Sequence, residues 1–168
     1  MCSGNGTNFE NIVRSCKDHE VVLMLYNTKS CGAARRATKL GIPSAYFDSS
    51  EEDKMMSEFT WARVDYIILA GWMRILSEEF VNQFPNRIIN VHPSLLPKYK
   101  GLHAVEQAIE SGDKVTGCTV HYVNEELDGG EIIKQAEVPI QENDTVDELT
   151  KRIQREEYRI LPEVINSL

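Results

Sequence analysis

The sequence predicts an α/β protein with a mainly parallel sheet flanked by helices. Two observations carry this: short apolar, β-branched runs alternate with stretches of helical spacing, and Gly, Pro or capping residues punctuate the changes between them.

Taken in order, the chain opens on Ser3-Gly4-Asn5-Gly6-Thr7-Asn8, a loop of the kind that joins a strand to a helix. Asn8 is placed to cap the helical turn that follows it. Only Met1 and Cys2 precede this loop, so the first strand of the predicted sheet is missing. Residues 21–26 read as a buried strand, and residues 33–40 as a helix closed by Gly41 and Pro43. Residues 51–61 form a second predicted helix, with Ser49 and Glu52 resembling a capping box. A strand over 65–70 follows, then a helix over 77–84 with an acidic first turn and a stop at Pro85. Residues 88–91 form a short strand, and residues 104–110 a short amphipathic helix ended by Gly112. Strands over 115–123 and 131–138 flank the turn at Gly129-Gly130, and Thr145 with Glu148 opens a long C-terminal helix.

With 168 residues and 42% hydrophobic content the chain can bury the core of one domain, and repeats, linkers and low-complexity tracts are absent. Lys and Arg number 18 against 26 Asp and Glu, a net charge of −8 that repels a phosphate backbone and argues against a nucleic-acid partner. Cys2, Cys16, Cys31 and Cys118 are widely spaced, as expected of reduced thiols in a cytoplasmic protein and not of a zinc site or a disulfide framework. No apolar run approaches the roughly 20 residues of a membrane span, and the N-terminus lacks signal-peptide character.

Three places carry possible chemistry. The opening loop has glycines where backbone amides could approach an anion at a helix start, although a plain Gly-Asn turn has the same composition. In Asn90-Val91-His92-Pro93-Ser94-Leu95-Leu96-Pro97, which follows an apolar strand, Asn90 and His92 share a face. An amide and an imidazole side by side can both donate to an oxygen that gains negative charge, as acyl transfer requires. A buried His satisfied by a carbonyl is the bland alternative. The turn Leu127-Asp128-Gly129-Gly130 offers a carboxylate that could hold an imidazolium and relay a proton, or could simply be a turn Asp. Spacing does not say whether Asp128 and His92 meet. A cis bond is expected at Leu96-Pro97.

Together these stretches resemble the glycinamide ribonucleotide transformylases, from Ser3 to about Ile165. The resemblance rests on Gly4-Asn5-Gly6-Thr7-Asn8, on Ala70-Gly71-Trp72-Met73-Arg74-Ile75-Leu76, on the Asn90 to His103 stretch, and on Glu126-Leu127-Asp128-Gly129-Gly130. It implies a Rossmann-like formyltransferase fold and a formyl transfer from 10-formyltetrahydrofolate, as co-substrate, to glycinamide ribonucleotide. It implies that Asn90 and His92 stabilise the oxyanion, with His92 as proton donor, and that Asp128 supports charged His92 and a shuttling water. It further implies a phosphate site at Gly6, Thr7 and Asn8, a ribonucleotide contact at Glu157, and a folate site at Met73, Arg74, Ile75, Leu76 and Asn90, with Lys54 nearby. No metal is implied, and monomer and homodimer stay open.

The same Asn, His and Asp set serves relatives with other acceptors. Formyltetrahydrofolate hydrolases resemble the family but carry a second His where this chain has Pro93, and methionyl-tRNA formyltransferases add a domain that is not seen here. A non-catalytic binding module would be marked by loss of Asn90, His92 or Asp128, and all three are present.

Overall fold

Three residues at the start of the chain do the work of a strand. Cys2 forms a parallel bridge with Tyr26 and donates its N–H to the Leu25 carbonyl at 3.0 Å. On the other side the Met1 amino group donates to Ile68 O at 2.7 Å, Ala70 N–H to Met1 O at 3.0 Å, and Ser3 N–H to Gly71 O at 2.9 Å. The strand expected before Ser3 is thus represented by Met1 and Cys2, which satisfy backbone groups of both neighbouring segments.

The computed structural model describes all 168 residues, in two units, Met1–Ile89 and Asn90–Leu168. The first unit begins with α1 (Thr7–Ser15), which Gly6 leads in with a left-handed φ of 74° and no side-chain cap, so the expected capping role of Asn8 is not found. Strand β1 (Met24–Tyr26) follows, shorter than the predicted span, and then α2 (Gly32–Leu40), stopped by Gly41 at a φ of 70°. Strand β2 (Ser44–Tyr46), missed in the sequence, pairs parallel with β1. Helix α3 (Glu52–Trp61) is not capped by Ser49. The reciprocal bonds run one residue earlier instead, with Asp48 N–H donating to Glu51 Oε2 at 2.9 Å and Glu51 N–H to Asp48 O at 2.9 Å. Strand β3 (Ile67–Leu69) leads to α4 (Glu78–Gln83), whose N-cap Ser77 accepts from Phe80 N–H as the acidic first turn suggested. Phe59, Phe80 and Phe84 fill this unit with rings whose centroids lie 5.5 to 6.3 Å apart.

Strand β4 (Ile88–His92) spans the boundary between the units, and β5 (Val115–Tyr122) lies in the second. Helix α5 (Ala104–Glu110) matches its predicted span. β5 and β6 (Ile132–Pro139) are antiparallel, so their sheet is not parallel throughout, and their register shifts between Val120 and His121. Helix α6 (Val146–Ile165) has the expected Thr145/Glu148 capping box and packs on both strands. Its buried Leu149, Ile153, Ile160 and Leu161 each contribute about 1.5–3 kcal/mol of apolar burial. No helix is long and apolar enough to cross a membrane.

Candidate active site

In the second unit, strand periodicity puts Asn90 and His92 on one face of β4, where its last residues run into a tightly tied turn. Thr119 on β5 holds that turn, donating from Oγ1 to Ser94 O at 2.7 Å and accepting Leu96 N–H at 3.1 Å. Gln135 on β6 adds a bond to Leu96 O at 2.9 Å. Gly117 must be glycine for the hairpin beneath, because a Cβ there would lie 1.9 Å from Ala136 O. The Leu96-Pro97 bond is cis.

The segment after the turn is wound tightly. Tyr99 and His103 take φ of 57° and 61°, a left-handed conformation that costs a non-glycine residue about 1–3 kcal/mol. What holds it is polar: Ser94 Oγ donates to Lys98 O, and the Tyr99 hydroxyl reaches Ser111 and Asp113, each at 2.6 Å. The result is that the Tyr99 carbonyl faces His92 Nε2 at 2.8 Å. A carbonyl can only accept, so Nε2 carries a proton.

The other nitrogen, Nδ1, lies 3.4 Å from Asp128 Oδ2, and both side chains are more than nine-tenths buried. The predicted His92 and Asp128 pair is therefore brought together. Asp128 holds a left-handed φ of 48° in the turn, which Asp tolerates better than most residues, and accepts the Gly101 N–H at 2.8 Å. Gly130 closes the turn where a Cβ would sit 1.7 Å from Tyr122 O. Burial pushes the Asp128 carboxyl up, but the His121 contact, the Gly101 N–H and the charge of His92 outweigh it and hold it below the usual carboxylate value.

His121 was not singled out in the sequence, and it sits at the centre of the cluster. Its Nδ1 bonds Tyr122 O at 2.8 Å, so Nδ1 carries the proton. Its Nε2 lies 3.2 Å from Asn90 Nδ2 and 3.6 Å from Asp128 Oδ1. The neutral ring thus accepts one Asn90 N–H and leaves the second for another acceptor. His121 stands two residues beyond Thr119 on β5, and strand periodicity gives the two one face. A His inside an alternating strand reads as strand, and its approach to Asn90 and Asp128 depends on strand partners distant in sequence, so no local signal could have flagged it. No cluster of three or more His, Cys, Asp or Glu side chains is arranged to hold a metal ion.

In the first unit the predicted phosphate and folate segments are tied to each other, since Ser3 Oγ accepts the Met73 N–H at 2.9 Å. Gly6 precedes α1, and Thr7 and Asn8 are its first residues. After β3, Leu76 is buried and Arg74 exposed, while Met73 and Ile75 are 62% and 73% exposed, an unusual display of apolar side chains. Lys54 lies exposed on α3 and pairs with Glu51 at 2.5 Å. In the second unit Glu157 is buried on α6 beside the Cys118 thiol, which burial and then the charge of Glu157 push up to about 12.

The cluster of Asn90, His92, His121 and Asp128 lies at the end of a strand in an α/β chain, and a formyl transferase model matches residues 1–165: the chain belongs to that family. More particularly, it is 41% identical to the phosphoribosylglycinamide formyltransferase of Escherichia coli over 99% of this chain and 84% of that protein. It is 42% identical to the trifunctional purine biosynthetic protein adenosine-3 of Drosophila melanogaster, but spans only 13% of that protein's length. The crystal structure of phosphoribosylglycinamide formyltransferase from Anaplasma phagocytophilum matches with a TM-score of 0.95 and 37% identity, over 98% of this chain and 82% of that one.

Proposed function

We propose that residues 1–168 act as a single formyltransferase domain that moves the formyl group of 10-formyltetrahydrofolate onto the amine of glycinamide ribonucleotide. The observation that carries this reading is the setting of His92 between a carbonyl oxygen and Asp128, beside an Asn90 amide with one N–H to spare.

The substrate amine attacks the formyl carbon, a C–N bond forms, and the carbonyl electron pair moves onto oxygen. Asn90 donates its second N–H to that oxygen. His92 donates as well, through Nδ1, because 3.4 Å to Asp128 is too long for a full-strength bond and leaves that N–H available to be shared with the substrate oxygen. Ionised Asp128 faces the ring at Nδ1 and holds a water that carries the proton lost by the amine. Collapse of the intermediate restores the carbonyl and breaks the bond to the folate nitrogen, which takes up a proton, so the proton count closes. Two donors aimed at the developing oxyanion are worth about 10²–10³ in rate apiece.

Gly6, Thr7 and Asn8 take the ribonucleotide phosphate on the backbone amides of a helix start, and Glu157 binds its polar groups. The exposed apolar side chains of Met73 and Ile75 suit a flat pteridine ring, with Arg74 and Leu76 completing that segment. Lys54 would leave Glu51 to reach a folate carboxylate. All four cysteines are free, which supports a cytoplasmic protein.

The test is to follow tetrahydrofolate release with and without glycinamide ribonucleotide. Release that requires the ribonucleotide supports the proposal, and equal release without it would assign the chain to a hydrolase.

A further inference from the structure

We propose that Arg36 is a positioning residue for the loop at residues 4–8, fixing the direction in which that loop offers its amide N–H groups. The proposal rests on the reading of this loop as the phosphate site.

Arg36 on α2 donates from Nε to the Asn5 carbonyl at 2.8 Å, and Ala33 N–H, one turn earlier, donates to the Gly4 carbonyl at 3.2 Å. A trans peptide is planar, with its C=O and N–H pointing in opposite directions. Tying these two carbonyls to α2 therefore turns the N–H groups of Asn5 and Gly6 away from α2, in succession, as in the backbone concavities that bind anions. The fit beneath the loop excludes any side chain: a Cβ on Gly32 would meet Asn5 Oδ1 at 2.5 Å, and one on Gly6 would meet Ala33 Cα at 2.6 Å. Contact holds the loop close to α2, but only the hydrogen bonds decide which way its peptides turn.

The same guanidinium reaches a third element. Arg36 also pairs with Glu10 on α1, which Arg14 bonds at 2.8 Å. Glu10 lies one turn into α1, its N–H donating to Gly6 O at 2.9 Å. A lone carboxylate so near the helix start would repel a bound phosphate. Hydrogen bonds from Arg14 and then Arg36 keep Glu10 ionised below its ordinary value and offset its charge. A guanidinium can make both bonds at once because its donors form a rigid fork; an ammonium on a flexible stem lacks that geometry.

The experiment compares the full chain with Arg36→Lys and Arg36→Gln. It reads kcat, KM for glycinamide ribonucleotide, and hydrogen exchange of the 4–8 amides without ligand, and it titrates inorganic phosphate against the backbone amide NMR signals. Both variants should raise KM about tenfold, as expected for a misaligned binding group, with kcat little changed and faster exchange in the loop. Wild-type KM and exchange in Arg36→Lys would show that charge alone suffices and overturn the positioning role. Should Arg36→Gln not fold, Arg36→Lys decides. If phosphate leaves the Gly6, Thr7 and Asn8 signals of the wild-type protein unmoved, the phosphate reading fails and the proposal falls with it; if those signals move but both variants behave as wild type, only the role of Arg36 is lost.

Discussion

The cluster around His92 and the loop at residues 4–8 use opposite parts of the polypeptide. In the cluster the groups proposed to act are side chains, more than nine-tenths buried at His92, His121 and Asp128, and each nitrogen has a named acceptor or donor. In the loop the groups proposed to act are backbone amides, and residue identity matters through what is absent: the Cβ that Gly6 and Gly32 lack. Side-chain chemistry is lost by deleting a group, whereas backbone chemistry is lost by adding one. The two regions should therefore fail in different kinetic constants.

The largest effects belong to the cluster. His92→Ala should lower kcat by about 10²–10⁴, the span of a lost acid–base group, and Asn90→Ala by about 10²–10³, the loss of one oxyanion donor. Calorimetry should find ribonucleotide binding almost unchanged in both. A loss confined to binding would erase the contrast between the regions.

Asp128→Asn keeps the size of the side chain and removes its charge, so it should shift the pH–rate profile as well as lower the rate. A stability effect accompanies it, with a definite sign. The folded carboxyl titrates below its unfolded value of about 3.9, so its contribution is present above that pH and is lost as pH falls through the lower folded value. Denaturation midpoints of wild type and variant should accordingly differ near neutrality and converge below about pH 4. Curves that stay parallel would reduce Asp128 to a turn residue.

Much of this was legible in the sequence, for reasons that can be traced. Asn90 and His92 were readable because a strand repeats every second residue, and Thr145 with Glu148 because a capping box is a local pattern. The residues left two readings of Asp128 open and the resemblance favoured one, while its contact with His92 came only from the fold. What stayed hidden depends on partners distant in sequence. Strand β2 is three residues with no β-branched side chain and exists by pairing with β1. Met1 and Cys2 gain their strand character from Leu25, Ile68 and Ala70. Ser49 fits the capping pattern, yet the bonds formed at Asp48, where the chain's approach to α3 places the carbonyl and amide.

A smaller effect tests the loop. Gly6→Ala adds a Cβ where φ is 74° and Ala33 Cα would be 2.6 Å away, so the backbone must shift at a cost of at least about 1–2 kcal/mol. Steady-state kinetics should show a raised KM for the ribonucleotide with kcat largely kept, the reverse of the His92 and Asn90 pattern. A fall in kcat alone would mean that the loop takes part in chemistry and that the division between the regions is wrong.

The smallest effect should come from a residue in neither region. Thr145 caps α6 by accepting Glu148 N–H at 3.3 Å, while Glu148 Oε2 accepts the Thr145 N–H at 3.0 Å. Thr145→Ala removes one half of this reciprocal pair and should cost about 1 kcal/mol. For a chain of this length that is a fall in Tm of about 2–4 °C, measurable by calorimetry. Neither kcat nor KM should change, because Leu149, Ile153, Ile160 and Leu161 still press the helix against β5 and β6. The variant also bears on Glu157, which lies on the same helix about three turns further on. If KM for the ribonucleotide rose along with the loss of stability, the cap would be setting the position of Glu157 and, through it, the fit of the ribonucleotide.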